Sequence, residues 1–432
     1  MSELSATASR PTFREALRFW LKLGWISFGG PAGQIAIMHT ELVDRKRWIS
    51  NDRFLHALNF CMLLPGPEAQ QLATYCGWLL HRTRGGIVAG VLFVLPSVFV
   101  LWALSYIYLA FGNLGPVEAA FVGLKPVVLA IVIGAVVRIG KKALHGMAKW
   151  GLAALAFVAI FFLKLPFPLI IISAGLLGWF GARREWRGFA IPKTRSDASE
   201  DPGRTRRSDG KRIAIVLLAG LLLWWAPVGV ASRVLGPDHT VTREGVFFSK
   251  AAMVTFGGAY AVLPYVAQKA VEEHQWLAAE QMLDGLGLAE TTPGPLIMVV
   301  QFVGFVGAWQ HPGGLDSLVA GTLGALMTTW VTFVPCFLWI FLGAPFIERL
   351  HGHAGLTGAL SAITAAVVGV ILNLAIWFGF HVLFPASQPD WFGILLCALA
   401  LFVALRWKIE VLWLVAAGCL AGLMRWWAGG IA

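Results

Sequence analysis

Two kinds of interruption in a mostly apolar chain carry the residues able to do chemistry. The stretch ISFGGPAGQ, residues 26–34, sets Gly29, Gly30 and Pro31 inside a hydrophobic run, with Gln34 just beyond; VTFGGAYAV, residues 254–262, sets Gly257 and Gly258 in another, with Tyr260 beyond. Further along, Pro65-Gly66-Pro67 is followed by Glu68, Gln70 and Gln71, and Pro293-Gly294-Pro295 is preceded by Glu290, Thr291 and Thr292. Interior Gly weakens a helix by about 1 kcal/mol and Pro by about 3, so each motif breaks a helix and starts another. The amides freed at a new helix start, together with the helix dipole, suit an anion. The Gln, Thr and Tyr side chains can donate hydrogen bonds to oxyanion oxygens. Capping and helix–helix bonding are the ordinary uses of the same groups, and close helix packing is the ordinary use of the glycines.

Three charged positions add to this. Lys22 and Lys250 each precede a Phe-Gly-Gly element by six residues, where they either supply positive charge to a bound anion or reach to the membrane interface. Glu68, beside the first Pro-Gly-Pro, either exchanges protons in a buried site or stabilises a helix N-terminus as a first-turn acid. Glu290 is the second proton-coupling candidate.

These elements repeat. The Phe-Gly-Gly motifs are separated by 256 − 28 = 228 residues and the Pro-Gly-Pro motifs by 293 − 65 = 228; Trp48 and Trp276, and Lys22 and Lys250, share that offset. Four features at one offset indicate an internal duplication. The division is an N-terminal half at 1–182, a linker at 183–212 and a C-terminal half at 213–432. The linker holds ten Lys or Arg against five Asp or Glu, with Pro, Gly and Ser throughout, and the positive-inside rule puts it in the cytoplasm. After the first Phe-Gly-Gly come Arg45, Lys46, Arg47 and Arg53; the equivalent stretch after the second holds Lys269 alone, with Glu272, Glu273 and Glu280. Equivalent loops with opposite bias predict an inverted-topology repeat.

The composition sets the class. Of 432 residues, 58% are hydrophobic and 13% charged, against roughly a quarter charged in soluble domains. Long apolar runs recur, among them 86–111, 213–230 and 318–343. The reading is an all-α polytopic membrane protein of two homologous halves, with broken helices at the Gly-Gly and Pro-Gly-Pro elements and roughly 10 to 13 membrane segments, some of them re-entrant. The net charge of +11 is spread over loops and the linker and accompanies no nucleic-acid-binding motif. The polar, then amphipathic N-terminus lacks a cleavable signal pattern. Five cysteines form no CxxC pair, and neither a metal-ligand cluster nor a flavin, haem or Walker signature is present, so neither a cofactor, a metal nor an enzymatic activity is expected.

At FGGPAGQIAIMH (28–39), LPGPEAQQLATYCGW (64–78), FGGAYAVLPYV (256–266) and TTPGPL (291–296), the chain resembles the chromate ion transporter family in its long, two-domain form. The motifs occur in order over nearly the whole length. The resemblance implies a multi-pass protein of the bacterial inner membrane that exports chromate in exchange for protons, driven by the proton motive force and conferring resistance. The substrate-binding candidates are then Lys22, Gly29, Gly30, Gln34, Pro65, Gly66, Pro67, Gln70, Gln71, Lys250, Gly257, Gly258, Tyr260, Thr291, Thr292 and Gly294. A carrier of sulfate or another oxyanion on the same architecture is the alternative. The oligomeric state, a homodimer included, is left open by the sequence.

Overall fold

The computed structural model describes residues 11–28, 30–112, 114–184, 186, 210–256, 258–344, 354–407 and 409–429. Among these there is no strand. The first half runs α1 (Phe13–Ile26), α2 (Gly30–His39), a π-helical turn (Thr40–Arg45), α3 (Asn51–Cys61), α4 (Glu68–Phe111), α5 (Gly115–Ala143), α6 (Met147–Phe161) and α7 (Phe167–Arg183). After α8 (Gly210–Val234) the second half runs α9 (Thr240–Val254), α10 (Ala259–Ala267), a π-helical turn (Gln268–Glu273), α11 (Ala279–Thr291), a 3-10 turn (Leu296–Met298), α12 (Val299–Gln310) and α13 (Ser317–Gly343). It closes with α14 (Ala354–Leu383), α15 (Trp391–Trp407) and α16 (Val411–Trp427). The linker lies largely outside the described residues, and its last three positions already belong to α8.

The duplication holds in three dimensions. The two π-helical turns are 228 residues apart at both ends, 268 − 40 and 273 − 45. Phe19 meets Trp48 edge-on at 5.5 Å, and Phe247 meets Trp276 at 5.7 Å. These pairs fasten the chain after each π turn back onto the helix it left, so α1–α2 and α9–α10 are hairpins rather than continuous spans.

A second hairpin follows in each half. α4 is non-helical at His81 and Arg82, where it folds back on itself. Gly77 in its first arm and Gly85 in its second face each other too closely to admit a Cβ on either. The matching crossing in the second half brings Gly304 of α12 against Gly324 of α13. Small residues at such crossings let backbones approach where lipid supplies no hydrophobic drive for helix association. Pairs of short arms therefore enter the molecule and turn back, which resolves part of the ambiguity in counting spans. Among the described residues, five helices are long and apolar enough to cross a bilayer: α4, α5, α8, α13 and α14.

The hairpins of the two halves enter from opposite ends of the long second arm of α4. At its start, His81 Nε2 lies 3.0 Å from the Pro11 carbonyl oxygen, beside the beginning of α1. Near its end, Tyr108 donates to Asp284 of α11 at 2.9 Å, and Tyr106 packs on Trp309 of α12 at 6.1 Å. From Thr83 to Phe111 this arm is about 43 Å long at 1.5 Å per residue, enough to separate two membrane faces. The helix that reverses the sense of the second half is α8. It packs on α13 through Gly220 and Leu338, and its Trp224 donates to Ser249 of α9 at 3.1 Å.

The halves also interlock. α14 packs on α6 and α7, with Gly178 against Gly358 and Gly369 against Ala153; reciprocally α5 packs on α15 and α16, with Gly123 against Gly418 and Gly422. Each half thus clasps the long helix of the other.

Candidate substrate site

The site starts from four breaks. α1 ends at Ser27 (φ −83°, ψ 77°) and α9 at Thr255 (φ −79°, ψ 88°), 228 residues apart and in nearly the same conformation. Each hydroxyl bonds back into its own helix at 2.6 Å, Ser27 Oγ to the Leu23 carbonyl and Thr255 Oγ1 to that of Ala251. Their backbone carbonyls are then free to accept from elsewhere. The Gly66 amide donates to the Thr255 carbonyl at 2.8 Å, and the Gly294 amide donates to the Ser27 carbonyl at 2.8 Å. Each Pro-Gly-Pro loop is bonded to the Phe-Gly-Gly break of the opposite half.

Four glycines take a left-handed conformation there: Gly30 (φ 70°), Gly66 (φ 123°), Gly258 (φ 93°) and Gly294 (φ 111°). Only glycine adopts it without strain. Space is a further constraint at two of them. A Cβ on Gly66 would lie 2.6 Å from Cys336 Sγ, and one on Gly294 would lie 2.8 Å from Ser97 Cβ. Gly29 and Gly257 lie outside the described residues.

Helices begin at each break: α2 at Gly30, α4 at Glu68, α10 at Ala259, and the 3-10 turn before α12 at Leu296. One set of contacts joins them. Glu68 Oε1 lies against Gly258, the N-cap of α10, where an added Cβ would stand 3.0 Å away. Tyr260 in the first turn of α10 donates to Glu290 at the end of α11. Gln34 of α2 then donates to the Gly294 carbonyl at 2.5 Å. The first four amides of a helix lack intrahelical acceptors and carry its positive dipole end, so this centre favours negative charge.

The neutral side chains make hydrogen bonds within the protein. Gln34, Gln70 and Gln71 are fully buried, but their amide nitrogens donate within the protein, to the Gly294 carbonyl, Thr74 Oγ1 and the Pro65 carbonyl. Thr291 and Thr292 bond back to the Leu288 and Ala289 carbonyls. Pro65 and Pro67 flank Gly66 in the loop that crosses to Thr255. These groups shape the breaks, and the first-turn backbone amides of the helices that start there have no intrahelical acceptor.

Lys22 and Lys250 are exposed, off the faces by which α1 and α9 are buried. That is the placement of a lysine reaching to the interface rather than into the breaks. α5 carries two further basic residues in its last two turns, Arg138 and Lys142, exposed like the two lysines and within electrostatic range of Glu290 and Glu68. Neither residue stands in a repeated motif, so spacing does not single them out. Ser97 and Cys336 leave a signal: they follow Pro96 and Pro335, a proline in the middle of an apolar run in each half. Their separation is 336 − 97 = 239, which is 11 more than 228 because the turn between α12 and α13 is longer than that within α4.

The acidic groups break the pseudo-symmetry. At the 228 offset, Glu68 corresponds to Leu296, Glu290 to Met62 and Tyr260 to Ala32. One scaffold, used twice, therefore carries ionisable groups on one copy of each position.

These features define a class: a multi-pass membrane protein of two inverted repeats whose broken hairpins meet tip to tip. The chromate transporter family profile matches residues 14–179 and 244–423, one match per half. The chain belongs to that family. It is 30% identical over 422 residues to the "Chromate transport protein" of Cupriavidus metallidurans, covering 97% of this chain and 95% of that one. Against the "Chromate transport protein" of Pseudomonas aeruginosa it is 31% identical over 359 residues, 82% of this chain and 77% of that one. A match of 150 residues at 29% identity to the "Uncharacterized transporter YwrB" of Bacillus subtilis covers 34% of this chain and 75% of that protein, the size of one repeat. No solved structure is significantly similar to the chain.

Proposed function

We propose that the protein exports chromate from the cytoplasm across the bacterial inner membrane in exchange for protons, driven by the proton motive force, and so confers chromate resistance. The observation that carries this reading is the pair of cross-bonds, Gly66 to Thr255 and Gly294 to Ser27, which gathers helix N-termini from both halves around Glu68. A tetrahedral dianion is bound by the backbone amides of the breaks, and Arg138 and Lys142, near the C-terminal end of α5, draw it in.

Glu68 supplies the coupling. Its carboxylate lies where an anion would lie, at the N-cap of α10. Protonated, it admits the dianion; deprotonated, it competes for the same amides and expels it. Glu290, held by Tyr260, is the second acid of the site. Lys22 and Lys250 act at the interface.

The direction agrees with electrostatics. An inside-negative potential drives a dianion outwards with about 2.3 kcal/mol per charge per 100 mV, roughly 4.6 in all. At about 1.4 kcal/mol per tenfold, this sustains a gradient of roughly two-thousand-fold. Uptake of labelled chromate by inverted membrane vesicles tests the reading, with the potential and the pH gradient collapsed separately and sulfate as competitor. Uptake that falls under both treatments and resists excess sulfate is expected. Uptake insensitive to both gradients contradicts the mechanism, and full competition by sulfate assigns the carrier to oxyanions generally.

A further inference from the structure

One buried acid lies far from the breaks and is unused by the mechanism above. Glu244, in the second turn of α9, is fully buried, and neither carboxyl oxygen has a hydrogen-bond partner among the described residues. It occupies a slot made by two glycines on two other helices. A Cβ on Gly307 of α12 would stand 2.7 Å from Oε1, and a Cβ on Gly324 of α13 would stand 2.7 Å from Oε2. The slot is closed on a third side by Trp276, whose Cβ would be 3.0 Å from the same added Cβ on Gly307. At the 228 offset the first half has Ala16, buried to 2% exposure, so the carboxyl is an addition to one copy only.

Among the described residues neither a hydrogen bond nor an ion pair reaches it. α12 and α13 contain no Asp, Glu, Lys, Arg or His. On α9 itself Arg243 is exposed and lies 3.1 Å from His274 Nδ1, and Lys250 is exposed. Arg233, in the last turn of α8, stands at the end of that helix that leads into α9 and is exposed. An ionised carboxylate without a partner in such surroundings costs several kcal/mol, so the packed slot holds the neutral acid. Glu244 is four residues, about 6 Å, from the start of α9, and Pro237 and Asp238 just before that start are exposed. The same helix ends at Thr255, the carbonyl that holds the first Pro-Gly-Pro loop.

We infer that Glu244 is a proton-binding site of the transport cycle, loaded from the membrane face where α9 begins and emptied when α9 leaves the glycine slot between α12 and α13. On opening, the carboxyl O–H bond breaks, the proton passes to water and the carboxylate is hydrated. On closing, the carboxylate takes a proton from water before it re-enters the slot. Packing of α9, and with it the position of Thr255 at the substrate site, is thereby linked to proton uptake at the far end of the helix. The inference rests on the transport reading given above.

Reconstituted carrier tests it, with labelled chromate counterflow as the measure of folded protein and the ratio of pH-gradient-driven to counterflow flux as the readout, the potential being clamped. Counterflow moves no net proton. Glu244→Gln should retain counterflow while its stimulation by a pH gradient falls below the wild-type value without reaching one-fold, since Glu68 still couples, and Glu244→Asp should keep a stimulation closer to wild type. Wild-type stimulation in Glu244→Gln overturns the inference. Absence of chromate counterflow in the wild type would instead overturn the transport reading. If Glu244→Gln fails to insert, infrared difference spectra decide. The neutral-acid carbonyl band lost from the wild type on raising the pH should shift in Glu244→Asp, and an unshifted band overturns the inference.

Discussion

A carboxylate and a dianion that seek the same helix amides cannot both occupy them. Glu68 is in that position, and Glu68→Gln removes the conflict without changing the side chain's size. Its chromate affinity should become independent of pH across the neutral range while proton-driven exchange is lost; titrating binding against pH checks it, and a wild-type pH profile would return Glu68 to a helix-end role. Arg138→Ala should weaken chromate binding about tenfold, about 1.4 kcal/mol, as expected for one charge acting across a partly hydrated approach. Measured in parallel, Lys22→Ala should change binding little. The glycines can be ranked by geometry. All four left-handed positions carry a backbone cost of about 1–3 kcal/mol on substitution. At Gly30 nothing stands within 4 Å of an added Cβ, whereas at Gly66 Cys336 must also move. Thermal unfolding in detergent should therefore place Gly66→Ala below Gly30→Ala.

At the scale of elements, the account requires the two hairpin pairs to open on opposite faces of the membrane. Cysteines placed at Arg45 to Arg47 and at Glu272 to Glu273 should react from opposite sides of intact cells; equal reactivity from one side would contradict it. The repeat behind this claim was legible in the sequence, because a break needs Gly and Pro wherever it occurs and the 228 offset preserved them. The α1–α2 and α9–α10 hairpins were not. A run such as 16–38 is as apolar as a span, and only the contact of Phe19 with Trp48 shows that the chain turns back. The turn inside α4 was legible by contrast, since His81, Arg82 and Arg84 interrupt the apolar sequence just before the run at 86–111. The cross-bonds between halves were hidden, since a backbone amide and a carbonyl leave no residue signature. Lys22 and Lys250 show the reverse case: their repetition was plain, but periodicity about the helix axis, not distance from the motif, decides which side chains face the breaks.

For the whole molecule, interlocking matters as much as symmetry. α5 and α14 are each held by the short helices of the other half, so the halves cannot rock as independent bodies about a simple interface. On the proposed function, motion that exposes the centre alternately would fall instead on the hairpins, whose tips are joined by the Gly66–Thr255 and Gly294–Ser27 bonds. Leu in place of Gly358, where Gly178 leaves no room for a side chain, should disrupt the clasp and lower thermal stability by at least the 1–3 kcal/mol typical of overpacking. Gly146→Leu, at a site with nothing within 4 Å but a φ of 89°, separates steric clash from backbone strain in the same assay.

On the proposed function, helix starts from both halves form one anion site. An anomalous difference map recorded at the chromium absorption edge from protein crystallised with chromate tests it most directly. One peak between Gly30, Glu68, Gly258 and Gly294 is predicted; a peak confined to one half, or one at the exposed Lys22 or Lys250, would contradict it.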